Sequence, residues 1–419
     1  ADLASLLETL SPRNITLLFR LLPKELAAET FTFMDSDTQM HLISGFSDKE
    51  LREILDEIFV DDTVDIIEEM PANVVSRILK NTDAETRKQI NAILDYPTDS
   101  AGSVMTTEYV YLHKNMTTKE ALDWIRKVGV VKETIYTCYI TESRKLIGFV
   151  TILDLVTADE DATIESIMDS NVKFVYTHED REDVAKKFSK YDFLAMPVVD
   201  NEERMVGIIT FDDVLDVIAE ENEEDFSKMA AMQPIEDSYF KTSVFTHAKK
   251  RIGWLLVLML SATITGNLLT KYEEAFQAIP ILVSFIPMLM STGGNCGSQS
   301  STTVIRGLAT GEIQFKDFFK AVFKEFRISL IISVILAVTN GLRIFIFYKN
   351  LQLSIVITLS IIGTVIIAEF IGCALPLIAK KVKLDPAIMA TPLISTIVDT
   401  CSMLIYFQFA TMIFSELRH

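Results

Sequence analysis

The residue with the clearest chemical demand is Asp399, near the middle of an apolar stretch over 388–414. A carboxylate at that depth in a membrane costs roughly 3 kcal/mol or more unless it meets water, an ion or a partner. As an ion ligand it suits a hard divalent cation, which takes oxygen donors and releases its own waters reluctantly. The other reading is a protonated acid that bonds a neighbouring helix. Ser395 lies one turn earlier on the same helix face, and Pro392 leaves a carbonyl one turn before it free of its usual donor. A single Asp is a weak cage, so a homodimer that doubles it is expected. Glu369, in the apolar stretch 354–379, either lines a pore or packs between helices, and packing is the favoured reading.

A second constellation is acidic. Asp212, Asp213, Asp216, Glu220, Glu221, Glu223, Glu224 and Asp225 crowd into one short run. Like charges at such spacings repel on a helix. The run is either a solvated face or a set of carboxylates that a divalent cation bridges to others across an interface. Asp61 and Asp65, four apart in the acidic first hundred residues, share a helix face. The five histidines are scattered, and Cys138, Cys296, Cys373 and Cys401 show no zinc spacing, so the cysteines read as reduced packing residues. No nucleophile, His and acid fall together, which argues against an enzyme.

These residues belong to two halves of opposite character. The net charge is −19, yet 49% of the residues are hydrophobic. Residues 1–247 carry 49 acids against 24 Lys and Arg, whereas 248–419 carry 9 against 15. An acidic half of this kind repels phosphate, which excludes nucleic acid as a partner. The chain opens at Ala1 without a signal peptide, as a trimmed chain would.

The second half predicts five membrane spans, at 252–269, 278–303, 322–348, 354–379 and 388–414. The second is unusual. Its apolar part, 278–290, covers only about 20 Å at 1.5 Å per residue, short of a core about 30 Å thick. To cross, it must continue through the small polar run 291–303, which includes Gly293, Gly294 and Asn295. Those groups must face other helices or a water-filled path, so these three become pore-lining candidates. Lys and Arg concentrate before the first span, between the second and third, and between the fourth and fifth, with Arg418 among the few on the other side. The reading is a multi-pass plasma-membrane protein with a cytosolic N-terminal half and its C-terminus outside.

Within the first half, residues 100–220 repeat with a period of about sixty, a supersecondary unit used twice. Ser103-Val-Met105 leads to 146–155 (LIGFVTILDL), and Ser166-Ile-Met168 leads to 205–214 (MVGIITFDDV). Each copy reads strand–helix–strand–strand–helix, with the glycines taken as tight turns. The pattern resembles a tandem pair of CBS domains, regulatory modules that often sense adenine nucleotides. Residues 1–97 show apolar steps of three and four, which predicts a superhelical stack of short helical hairpins. A helix over about 226–246 is expected to join sensor to membrane. The predicted fold is therefore multidomain: an α-helical N-domain (1–97), an α/β tandem CBS pair (98–160 and 161–222), a connecting helix (223–247), and an all-α membrane domain of five transmembrane helices (248–419).

Taken together, the acidic helical N-domain, the paired repeat, Pro287…Thr292-Gly-Gly-Asn-Cys-Gly-Ser-Gln299 and Leu384-Asp-Pro-Ala387…Pro392…Asp399 resemble the MgtE magnesium channels across essentially the whole chain. The resemblance implies a homodimer with its pore between subunits, Mg²⁺ as the imported ion, and closure when cytosolic Mg²⁺ binds the acidic domains. It implies Asp399 and the Ser395 carbonyl as pore ligands. It also implies Asp213, Asp216, Glu224 and Asp225, with Glu182, Asp192, Asp61 and Asp65, as regulatory ligands. Some relatives bind ATP at the CBS pair. Ser298 stands where the family pattern has Asn, and Thr391 where some members have Asn. The alternatives are a broader Co²⁺ or Mn²⁺ transporter and a membrane-anchored CBS nucleotide sensor.

Overall fold

The computed structural model describes all residues except 236–238, 241, 390, 418 and 419, and all side chains but those of 274–276 and 391 as well. Arg418 and the Thr391 side chain therefore lie outside the described residues. The chain forms two compact bodies, Ala1–Ala219 and Glu220–His419.

The first body opens with eight short helices: α1 (Asp2–Glu8), α2 (Pro12–Phe19), α3 (Lys24–Thr32), α4 (Ser36–Gly45), α5 (Asp48–Leu55), α6 (Val60–Glu68), α7 (Ala72–Asn81) and α8 (Ala84–Leu94). Their starts follow from local chemistry. Pro12 opens α2, where a missing N–H costs nothing, and Asp35 and Asp83 cap α4 and α8. Ser47 and Glu50 form a reciprocal capping box on α5. Helices two apart in sequence pack together, α1 on α3, α3 on α5, α5 on α7 and α6 on α8, which gives the expected stack.

The repeat follows. Its first copy is β1 (Tyr109–Leu112), α9 (Thr118–Val128), β2 (Thr134–Glu142), β3 (Lys145–Thr151) and α10 (Ile152–Thr157). Its second copy follows a single helical turn, α11 (Ile164–Ile167): β4 (Val175–Tyr176), α12 (Arg181–Tyr191), β5 (Ala195–Val199), β6 (Met205–Thr210) and α13 (Phe211–Met229). Both sheets have the order 1-2-3, with the first pair parallel and the second antiparallel. This is the order read from the sequence, but the two glycines are not turn residues. Gly148 and Gly207 lie within β3 and β6. A Cβ on Gly207 would sit 2.6 Å from the Thr106 carbonyl oxygen and 2.8 Å from Met105 Sδ, and one on Gly148 would sit 3.0 Å from both Asp169 O and Met168 Sδ. Each copy thus lays its leading Ser-x-Met segment across the other copy's glycine, and Thr106 N donates to Ile208 O while Phe149 N donates to Asp169 O. That exchange makes the pair one unit. The N-terminal helices and the second copy share a single apolar core, and the first copy encloses its own.

The second body contains α14 (Val244–Lys271), α15 (Glu273–Ala278), α16 (Ile286–Ala309), α17 (Phe318–Tyr348), α18 (Leu351–Lys381) and α19 (Thr391–Ile413). Among the described residues, four stretches, containing α14, α17, α18 and α19, are long and apolar enough to cross a membrane. The exception, α16, corresponds to the unusual second stretch. Its small residues let other helices approach closely. A Cβ on Gly293 would meet Val398 and Ser402 of α19 at 2.8 Å, and one on Gly372 of α18 would lie 2.3 Å from the Gly297 carbonyl oxygen. The polar run is therefore packed between α18 and α19.

The joining helix differs from expectation. α13 ends at Met229, and the described residues between there and Val244 are not helical. Ala231 takes up the left-handed region just past that end, with φ 52°, and Pro234 then keeps the residue before it out of the helical region.

Candidate functional site

In the first body, acids from distant segments gather. Asp61 and Asp62 occupy the first turn of α6, Asp212 and Asp213 the first turn of α13, and Glu133 immediately precedes β2. A helix N-terminus favours a carboxylate, which eases this crowding without balancing it. Burial pushes Glu133 up to about 7, with Asp213, Asp212, Asp62 and Glu108 adding repulsion. Burial and then Asp213 and Asp212 push Asp62 up to about 6. Burial likewise holds Asp61 well above the usual carboxylate range, with further pressure from Asp213, Asp62 and Glu133. The Asp61 Oδ1 atom is buried and has no hydrogen-bond partner among the described residues. Such a group is costly to leave unmet.

Asp213 has a structural task. Its Oδ2 accepts from Thr210 Oγ1 at 2.5 Å and from Thr210 N at 3.3 Å. In the first copy Asp154 does the same for Thr151. The repeated Thr-x-x-Asp is thus a helix-capping device, one of whose two copies lies in the acidic cluster. Burial also raises Asp213 above its ordinary range.

Asp65 lies on α6 and is exposed, as is Asp216 on α13. Glu182 pairs with Lys186 at 2.7 Å, and Asp192 ends α12 in the left-handed region with φ 55°. Glu224 and Asp225 belong to the second body. Among the described residues, no three His, Cys, Asp or Glu converge tightly enough to hold a bare metal ion. The set is nevertheless all oxygen, mutually repelling and short of cations, which fits a hydrated divalent ion better than a dehydrated one. Glu133 and Glu108 were not among the sequence candidates for metal binding, and only the fold brings them to Asp61 and Asp213. Asp62 and Asp212 adjoin those two in sequence, and Asp212 belongs to the acidic run already singled out.

The second body places Asp399 and Ser395 on α19, both partly exposed. A Cβ on Gly294 of α16 would lie 3.4 Å from Ser395 Oγ, so the two candidate segments adjoin. Gly293 and Gly294 are buried and Asn295 is exposed. Asp399 has no hydrogen bond or ion pair among the described residues. The Ser298 hydroxyl oxygen is buried without a partner among the described residues.

Glu369 is only 3% exposed and sits inside the helix bundle. Ser300 Oγ of α16 donates to Glu325 Oε2 of α17 at 3.0 Å and lies 3.1 Å from the Glu369 carbonyl oxygen, so the three helices meet at these residues. This is an interhelical packing position. Glu325 escaped the sequence reading, yet a signal existed. Glu325, Ser329, Ser333, Ala337 and Gly341 recur every fourth residue, and all are buried.

Lys228, near the end of α13, reaches Glu224 Oε1 at 2.5 Å and Asp385 Oδ2 at 2.7 Å. Burial lowers its pKa, but the two carboxylates more than offset that and raise it overall. Asp385 precedes the turn that leads into α19, so this ammonium ties the acidic helix to the segment before Ser395 and Asp399.

A helical N-domain, a CBS pair and a bundle of long apolar helices define a membrane protein that carries a paired CBS module. The comparisons agree. Residues 286–409 match the family model described as a divalent cation transporter (MgtE), residues 1–99 the MgtE intracellular N domain, and residues 101–161 and 164–220 the CBS domain. The magnesium transporter MgtE of Bacillus subtilis is 31% identical over 98% of this chain and 93% of its own. That of Thermus thermophilus is 33% identical over 98% and 92%. A crystal structure of the cytosolic domain of the Mg²⁺ channel MgtE in complex with ATP covers 52% of this chain and 89% of that one, with 37% identity and a TM-score of 0.50. The chain belongs to the MgtE family. Its full-length relatives are transporters and not enzymes.

Proposed function

We propose that this chain is a Mg²⁺-selective channel or transporter that imports magnesium through five membrane spans and is closed by Mg²⁺ on its cytosolic side. The transported ion follows the named function of its full-length relatives. The observation that carries the reading is Asp399: a carboxylate within a candidate span, partly exposed, with no side-chain partner among the described residues. A second subunit would set two such carboxylates facing each other, with the Ser395 carbonyl beside them, and a hydrated divalent cation would satisfy both.

Closure is supported by the acidic clusters. Asp61 and Asp213, with Asp62 and Glu133, repel one another while empty of cations, so a divalent ion favours whichever arrangement holds them close. Asp65, Asp216, Glu182, Asp192, Glu224 and Asp225 complete the regulatory set carried over by family resemblance. The division into N-domain, CBS pair, connecting segment and membrane domain follows, with the N-terminal half cytosolic and the C-terminus outside. ATP binding by the CBS pair is supported by the relative solved with ATP.

The test is flux into proteoliposomes with an inside-negative potential while Mg²⁺ on the cytosolic face is raised. The reading requires flux at low cytosolic Mg²⁺ that shuts as Mg²⁺ rises. Equal passage of Co²⁺ or Mn²⁺ would favour the broader transporter. No flux under any condition would favour the membrane-anchored sensor.

A further inference from the structure

The lipid-facing side of α17 and α18 is not uniform. Phe319, Phe323 and Phe326 of α17 and Ile366, Ile367 and Phe370 of α18 enclose an apolar groove of about 390 Å³. Phe319 is 85% and Phe323 63% exposed, so the aromatic rim is unfilled by the protein itself. Beside this stripe, one residue further round the helix, run Lys320, Lys324 and Arg327, all exposed. At 1.5 Å per residue they cover about 10 Å of helix axis from Lys320 to Arg327. None of the three has an ion-pair partner among the described residues. The nearby acids do not offset them: Asp317 accepts from Gln314 N, and Glu325 is turned into the bundle.

We propose that this groove is a binding site for an anionic phospholipid, with one acyl chain between the phenylalanines and Ile366 and Ile367, and the phosphate held by Lys320, Lys324 and Arg327. The position suits both parts. The basic residues belong to the first three turns of a long apolar helix, where basic side chains reach the headgroup layer while their stems cover apolar surface. A zwitterionic lipid would gain the same apolar contact without the charge complementarity. The charge is what singles out one lipid class, and a second copy of this chain would bring the same unpaired cations to the groove. The inference rests on reading α17 and α18 as membrane spans and is independent of which ion passes.

The experiment uses the full chain in vesicles, with Trp254→Phe removing the only tryptophan of the second body and Phe323→Trp placing a reporter in the groove. Quenching is measured with dibrominated phosphatidylglycerol against dibrominated phosphatidylcholine. A preference for the anionic lipid is expected, at about fivefold per basic side chain, so Lys320→Gln with Lys324→Gln should reduce it roughly twenty-five-fold. Equal quenching by both lipids, unchanged in that double variant, would overturn the proposal and leave only general lipid contact. No quenching by either would also overturn it, and would mean that a second copy or another protein segment covers the groove. Folding of each variant is checked by its thermal transition before quenching is compared.

Discussion

Raising the pH without divalent cations should destabilise the first body, and Mg²⁺ should abolish the effect. Glu133 moves from its ordinary 4.5 to about 7 and Asp62 from 3.8 to about 6 on folding. An acid whose folded pKa is raised binds more protons folded than unfolded between those two values, so stability falls as pH rises through that window. Between pH 5 and 8 the two groups together account for roughly 2–4 kcal/mol. The lower figure allows for the fact that both titrate against the same neighbours, Asp212 and Asp213. The chain has two tryptophans, Trp124 and Trp254. In a Trp254→Phe background, Trp124 alone reports unfolding of the first body by denaturant. Asp61→Asn with Glu133→Gln should flatten the pH slope. Stability that is constant or rising from pH 5 to 8 in chelator, or a fall that Mg²⁺ leaves unchanged, would refute the reasoning.

Two further outcomes are expected. Lys228 neutralises Glu224 and Asp385, so Lys228→Met should free both for Mg²⁺ and lower the Mg²⁺ needed for closure a few-fold, in keeping with about 1 kcal/mol for a partly exposed pair; an unchanged or higher midpoint in the flux titration argues against that role. Gly372→Ala should destabilise the membrane body by about 1–3 kcal/mol, because its Cβ would lie 2.3 Å from the Gly297 carbonyl oxygen, whereas Gly253→Ala, with nothing within 4 Å, should cost little. Thermal unfolding in detergent compares the two, and similar midpoints would contradict the close α16–α18 crossing.

The sequence was most legible where a short period repeats. Alternating apolar residues and paired Ser-x-Met segments gave both CBS copies their order of strands and helices. What escaped was the reason for Gly148 and Gly207, since close approach by the other copy is a tertiary fact. The run 291–303 announced by its polarity that it must pack on helices or line water, and the structure packs its glycines against α18 and α19. The joining helix expected over 226–246 is broken among the described residues, because the chain turns left-handed at Ala231 and then meets Pro234. Asp399 stood out because a carboxylate amid apolar residues is rare. Glu325 did not, because a carboxylate near a helix end reads as interfacial until the four-residue stripe is traced to Gly341. The acidic cluster was half visible, in Asp61 and Asp213. Glu133 joined it only through the fold, because Coulomb repulsion depends on distance in space and not along the chain.

The most direct test of the account is Mg²⁺ flux into proteoliposomes carrying the wild-type chain or Asp399→Asn, at low cytosolic Mg²⁺ and an inside-negative potential. The account predicts flux through the wild type and its loss in the variant, with folding and oligomeric mass unchanged. Equal flux through both would contradict it and place the ion path away from Asp399.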